Sequence, residues 1–224
     1  MGFGFKVLVE APAACFTRPE MKAERVSYDV ITPSAARGVL EAVYWKPAIC
    51  WKIDGIDVLN EIEFDTFRRN EVKSKVRFTS MRNAWKGGEV DVGLDVNDIG
   101  NRTQRATVYL RDVAYVISAH FELTGKASEQ DTVEKHYNIA LRRLRKGQCF
   151  NQPYLGCREF AASKILLLED DFEKPVSFYE NKEIDLGWML YDLDFENGMV
   201  PMFYRAKMVD GFIDVAAARG GMLR

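Results

Sequence analysis

The alternation of apolar and polar side chains marks out the principal elements. Residues 5–16 form an apolar run bounded by turn-prone residues and read as a strand. Over 32–46, Ala36, Val39, Leu40 and Val43 recur at helical spacing. Thr32 is a natural N-cap for that helix, Pro33 suits its first position, and Pro47 stops the pattern. Gly38 lies inside it at a cost of about 1 kcal/mol relative to alanine, explained either by close packing on a sheet or by accident. Residues 48–59 read as a second strand, with Ile49, Trp51, Ile53 and Ile56 as core contacts. Residues 105–124 alternate as one long strand, with Val113, Ile117, Ala119, Phe121 and Leu123 on one face and Asp112, Ser118, His120 and Glu122 on the other. A helix follows over 128–146. Ser128 is its expected N-cap, and Val133, Tyr137, Ala140, Leu141 and Leu144 are its buried stripe, so Lys135 and His136 are expected to point away from the core. A further strand is expected over 154–167.

This order, βαβ, insertion, βαβ, predicts an α+β fold: a ferredoxin-like (RRM-like) βαββαβ domain over 1–167, an antiparallel sheet with two helices on one face. The insertion, about 60–104, breaks the pattern. It holds a basic run and then a turn-rich stretch from Gly87-Gly88 to Asn101, and reads as a projecting hairpin arm in which 76–79 could be a strand. Residues 168–224 read as a small C-terminal antiparallel β subdomain. Its strands lie at 185–195 and 202–208 around Asn197-Gly198, and Asp210-Gly211 is a second hairpin signal.

Charge sharpens this division. The formal net charge is −2, which argues against a globally basic nucleic-acid coat. Yet residues 166–224 carry 12 acidic and 6 basic side chains, whereas 68–86 carry seven cations against Glu71 alone. Such a local field steers anionic partners even when the total is near zero. No apolar run approaches the roughly 20 residues needed to span a bilayer, and the N-terminus has no signal-peptide pattern, so a cytoplasmic location without membrane contact is expected. Cys15, Cys50, Cys149 and Cys157 form no C-x-x-C pair and read as reduced thiols. With two histidines and scattered cysteines, a zinc site is not expected, and no cofactor is implied.

No Walker loop, dinucleotide fingerprint or nucleophile elbow is present. The informative pieces are Tyr44-Trp45-Lys46-Pro47 at the end of the first helix, Lys135-His136-Tyr137 on the second, and Tyr154-Leu155-Gly156-Cys157-Arg158-Glu159 after it. Histidine is the side chain whose ordinary pKa lies in the physiological range, and among cations it suits proton transfer beside a polyanion; a solvated helix face is the bland alternative. With Arg37-Gly38 and Arg111-Asp112-Val113, these pieces resemble, over essentially the whole chain, the precursor-CRISPR-RNA endoribonucleases of the type I-C (Dvulg, Cas5d) branch of the RAMP superfamily.

The resemblance implies a metal-independent endoribonuclease that cuts the repeat hairpin of precursor CRISPR RNA and then holds the 5′ handle with other subunits of an interference complex. Its catalytic Tyr, Lys and His correspond to Tyr44, Lys135 and His136. In that chemistry the ribose 2′-OH attacks the adjacent phosphorus, giving a 2′,3′-cyclic phosphate and a 5′-OH. His136 is a candidate general base or acid, Lys135 a stabiliser of phosphorane charge, and Tyr44 a ribose-positioning or second proton-transfer group. Arg68, Arg69, Lys73, Lys75, Arg77, Arg82 and Lys86 on the arm are expected phosphate contacts, with Lys46, Arg111, Arg142 and Arg158 as further candidates; Arg142 equally complements the helix dipole. Phe67, Phe78 and Trp85 interleave with the arm cations, either to stack on splayed bases or to anchor the arm. A non-catalytic subunit that only holds the handle is the alternative, and duplex DNA is a possible further ligand.

Overall fold

A computed structural model describes residues 4–21, 23–169, 175–195 and 197–223. The elements are β1 (Gly4–Ala14), β2 (Arg25–Val26), α1 (Pro33–Val43), β3 (Ile49–Val58), β4 (Glu63–Val72), α2 (Phe78–Trp85), β5 (Arg102–Leu123), α3 (Val133–Arg145), β6 (Lys164–Leu168), β7 (Glu183–Asp194), β8 (Val200–Val209), β9 (Phe212–Asp214) and α4 (Val215–Ala218). They form a mixed α/β structure with a large antiparallel sheet and few helices.

The 22-residue β5 is its spine. The C-terminal half of β5 lies between β1 and β3, and its N-terminal half pairs with β4 to make the arm. The sheet runs β6-β1-β5-β3-β9-β8-β7 with antiparallel neighbours, while β2 joins β5 in parallel. Asp112, with φ 45°, marks the point where β5 passes from body to arm.

Period-two alternation sets the register, because a slip of one residue would turn the apolar face to solvent. Val113, Tyr115, Ile117, Ala119 and Phe121 of β5 enter the main core with Phe5, Val7 and Val9 of β1 and Ile49, Trp51, Ile53 and Ile56 of β3. Each large apolar side chain buried there contributes about 1.5–3 kcal/mol. Leu123, expected on that face, is exposed at the strand end. His120 on the opposite face bonds through Nδ1 to Asp54 at 2.7 Å.

Helix α1 begins as its sequence predicts. The Thr32 hydroxyl accepts from the Ala35 amide at 3.2 Å, Pro33 opens the first turn, and Ala36, Val39, Leu40 and Val43 are buried. It ends at Val43, so Tyr44 is its extended C-cap residue (φ −151°, ψ 120°).

Helix α3 starts later than expected. Thr132, not Ser128, is its N-cap, accepting from the Lys135 amide at 3.2 Å. Its buried residues are His136, Ala140 and Leu144, with Val133, Tyr137 and Leu141 only half-buried. The expectation that His136 faces away from the core is therefore wrong; only Lys135 does so.

Two strand expectations also fail. Residues 76–79 hold no strand: Phe78 opens α2, whose Phe78, Met81 and Trp85 recur at helical spacing yet are all exposed. The expected strand over 154–167 is reduced to β6 and an isolated Tyr154–Ala161 bridge. Gly156, at φ +85°, turns the chain there.

Candidate active site

Pro47 stops α1 early enough that Tyr44 folds back over α3. The Trp51 indole donates to the Tyr44 carbonyl at 2.8 Å, fixing the cap residue to β3. The Arg143 guanidinium lies 5.2 Å from the centre of the Tyr44 ring and donates to the Val43 carbonyl at 2.8 Å. So held, the Tyr44 hydroxyl reaches His136 Nδ1 at 2.7 Å. Both side chains are buried, each with 2 % relative exposure.

The second imidazole nitrogen, Nε2, lies 3.2 Å from Asp131 Oδ1. The same carboxylate oxygen takes the Lys135 ammonium at 3.2 Å, and that ammonium also donates to the Gln130 carbonyl at 3.0 Å. Asp131 Oδ2 accepts from the Ser128 amide at 3.0 Å and from the Ser128 hydroxyl at 2.7 Å. These two Ser128 donors, followed by the Lys135 ammonium, hold the Asp131 carboxyl well below the usual carboxylate range. Burial pushes the Tyr44 phenol up, partly opposed by Arg143, so the hydroxyl keeps its proton near neutral pH.

Tyr44, Asp131, Lys135 and His136 line one cleft of about 440 Å³, together with Lys46, Pro47, Ala48, Lys126 and Ile139. Lys135 and His136 thus leave the helix in different directions yet converge on one carboxylate oxygen. The cleft unites four residues singled out from the sequence: Tyr44, Lys46, Lys135 and His136. It adds two that sequence reasoning missed. Asp131 stands four residues before Lys135, the spacing of a helical ion pair, and that was an available signal. Lys126, in the turn after β5, carried no pattern. Arg143, in the last turn of α3, is a third residue that no sequence pattern tied to the site, and it covers the Tyr44 ring.

The arm cations lie elsewhere. Arg68 and Lys73, Lys75, Arg77, Arg82 and Lys86 are exposed along β4 and around α2, and none lines the cleft. Arg69 differs: it is half-buried and paired with Glu71 and with Glu159, each at 2.9 Å. Arg111 is exposed and opposite Glu63 in the β4–β5 register. Arg142 is exposed on α3, and Arg158 is exposed in the turn after Gly156. Phe67 packs on Tyr109 of the same ribbon at 5.5 Å between ring centres, and Tyr109 stacks on buried Phe160 at 5.7 Å, so this row of rings ties the arm to the body. Phe78 and Trp85 do not: they are 74 % and 93 % exposed.

Fold and cleft define a mixed α/β protein on an antiparallel sheet, with a cationic arm and a cleft of amines, an imidazole and a phenol. A family model described as CRISPR-associated protein (Cas_Cas5), of the Cas5d type, matches residues 4–216. A protein of Mannheimia succiniciproducens named CRISPR pre-crRNA endoribonuclease Cas5d is 51 % identical over 205 residues, which is 90 % of each chain. One of the same name from Thermus thermophilus is 35 % identical over 233 residues, covering 96 % of this chain and 92 % of its own. A crystal structure of a CRISPR-associated protein superposes with a TM-score of 0.69 at 25 % identity, covering 96 % of this chain and 92 % of the other. A functionally uncharacterized protein of Streptococcus mutans shares the fold at a TM-score of 0.66 and 23 % identity, covering 95 % of this chain and 91 % of its own. The chain belongs to the Cas5d family of CRISPR-associated proteins, the type I-C branch.

Proposed function

We propose that this chain is an endoribonuclease that cuts the repeat hairpin of precursor CRISPR RNA in the cytoplasm without a metal ion and then keeps the 5′ handle within an interference complex. The observation that carries this reading is the 2.7 Å contact between Tyr44 and His136 in a cleft that also presents the Lys135 ammonium, in a chain whose 51 %-identical relative is named a pre-crRNA endoribonuclease.

Cleavage forms the 2′-oxygen–phosphorus bond and breaks the bond from phosphorus to the 5′-oxygen. One proton leaves the 2′-OH and another reaches the leaving oxygen. Tyr44 and His136 make up the proton-transfer pair, worth on the order of 10²- to 10⁴-fold, and Lys135 neutralises charge on the phosphorane. Lys46 extends the positive rim of the cleft. Arg68, Lys73, Lys75, Arg77, Arg82 and Lys86 bind phosphates along the arm, Arg111, Arg142 and Arg158 extend this surface, and Arg69 braces it through Glu71 and Glu159.

The fold supports the same reading. We take residues 1–167 as a ferredoxin-like domain, because β1, α1, β3, β5, α3 and β6 follow one another with strand order β6-β1-β5-β3. Residues 168–224 are then the small β subdomain, built on the β7–β8 hairpin.

Incubating the chain with repeat RNA in excess EDTA tests the proposal. Cleavage is expected to persist, and His136→Ala is expected to abolish it while leaving RNA bound. An absolute divalent-ion requirement, or wild-type rates in His136→Ala, rejects the mechanism. Protein that shifts repeat RNA in a gel but never cuts it makes the chain a handle-holding subunit.

A further inference from the structure

We propose that Asp131 is a positioning residue of this site: its carboxylate selects the His136 tautomer that carries hydrogen on Nε2, which makes the Tyr44 oxygen the atom that takes the proton from the ribose 2′-OH. This inference rests on the nuclease reading for its functional half. Its structural half stands on the cleft alone.

An ionised carboxylate can only accept hydrogen bonds. Asp131 faces four donor positions: the amide and hydroxyl of Ser128 on Oδ2, and Lys135 Nζ and His136 Nε2 on Oδ1. The depressed pKa of this carboxyl agrees with its ionised state. If His136 Nε2 carried a lone pair, that lone pair would face the carboxylate at 3.2 Å without a proton between them. Nε2 therefore bears the hydrogen. In the neutral ring Nδ1 is then the acceptor, and the Tyr44 hydroxyl donates to it at 2.7 Å.

The consequence is directional. Both imidazole nitrogens are engaged, so His136 meets the substrate through Tyr44, which lines the cleft and whose oxygen keeps lone-pair capacity while it donates. As the 2′-oxygen bonds to phosphorus, its proton passes to Tyr44 Oη, and the phenol proton passes to His136 Nδ1. The imidazolium so formed sits against the Asp131 carboxylate, which stabilises it and keeps its ring oriented, the logic of a base held by a third group. The leaving 5′-oxygen takes its proton from solvent water in the cleft, and the imidazolium then returns its extra proton through Tyr44 to the hydroxide so left, which closes the count.

The local sequence is built for this seat. The turn 128–131 does not continue into α3. Ser128 instead directs both its amide and its hydroxyl to Asp131, and Thr132 takes over the helix cap. One carboxylate thereby sets the positions of the imidazole and of the Lys135 ammonium.

Nitrogen NMR of the full chain, labelled with ¹⁵N-histidine at alkaline pH, tests this directly. The chain has two histidines, and His120→Gln assigns the second set of signals. His136 is expected to show a protonated Nε2 and a pyridine-type Nδ1. In Asp131→Ala the two tautomers are expected to mix, and single-turnover cleavage of repeat RNA to slow by at least about 10-fold, as when the carboxylate that orients a catalytic imidazole is lost, with RNA affinity changed far less. Asp131→Glu is expected to recover part of the rate. Hydrogen on Nδ1 of wild-type His136, or an unchanged tautomer in folded Asp131→Ala, overturns the inference. A chain that never cuts RNA yet shows the expected tautomer overturns the nuclease reading instead, so the two failures are distinct.

Discussion

The Tyr44 hydroxyl and His136 Nδ1 meet at 2.7 Å although 92 residues separate them in sequence, and both side chains are buried. The pair joins the cap residue of one helix to the first turns of another. It therefore contributes to the packing of α1 against α3 as well as to the chemistry of the cleft.

Tyr44→Phe separates those contributions. The ring still fills its place beneath Arg143, but His136 Nδ1 loses its partner, and an unsatisfied buried polar group costs about 1–3 kcal/mol. Urea unfolding is expected to register a loss of that size. Single-turnover cleavage of repeat RNA is expected to fall by at least about 100-fold, from the lower end of what a positioned proton-transfer group supplies, with RNA binding preserved.

The tip of the arm makes a different prediction. Phe78 and Trp85 lie on exposed α2 among Arg77, Arg82 and Lys86 and have little to lose from the fold. Replacing either with alanine is expected to leave the melting temperature nearly unchanged, as surface substitutions usually shift stability within about 0.5 kcal/mol. If they stack on bases, affinity for repeat RNA is expected to weaken by about 1–3 kcal/mol per base lost. Unchanged binding in the double variant would remove both from the RNA surface.

Two glycines are expected to respond in opposite directions to alanine. Gly156 has φ +85°, and a Cβ there would stand 1.9 Å from the Cys15 carbonyl oxygen. The neighbouring Cys15 amide bonds to the Leu155 carbonyl at 3.0 Å, so neither strand end can retreat freely. Gly156→Ala is expected to destabilise by well over about 1 kcal/mol. A Cβ at Gly38 meets nothing within 4 Å, so close packing does not explain that residue. Gly38→Ala is expected to stabilise by up to about 1 kcal/mol through helix propensity. Thermal melts of the two variants check both signs.

The legible parts of the fold were those where local rules act alone. Thr32-Pro33 and Pro47 bracket α1, and Ile49, Trp51 and Ile53 point one way by the period of a strand. Where two local solutions competed, sequence reasoning chose wrongly. Ser128 and Thr132 are both good caps, and the choice fell to Thr132 because Ser128 is engaged with Asp131. Val76-Arg77-Phe78-Thr79 has strand-like composition, but no described strand pairs with it, and the backbone bonds of Phe78–Trp85 are satisfied within α2. At Gly156 the close approach of Cys15 from another part of the chain reshaped an expected strand. The inward direction of His136 was hidden for the same reason: its partner, Tyr44, lies beyond any local window. Resemblance to a family supplied the identities of Tyr44, Lys135 and His136, but not Asp131, which emerged only from the hydrogen bonds around them.

Repeat RNA carrying a single 2′-deoxy sugar at the cut site, compared with the all-ribose hairpin under excess EDTA, shows whether the 2′-OH is the nucleophile. The ribose substrate is expected to yield a 2′,3′-cyclic phosphate and a 5′-hydroxyl end, whereas the 2′-deoxy substrate is expected to bind with similar affinity and remain uncut. Cleavage of the deoxy substrate at a comparable rate, or products bearing a 5′-phosphate, would contradict attack by the 2′-OH.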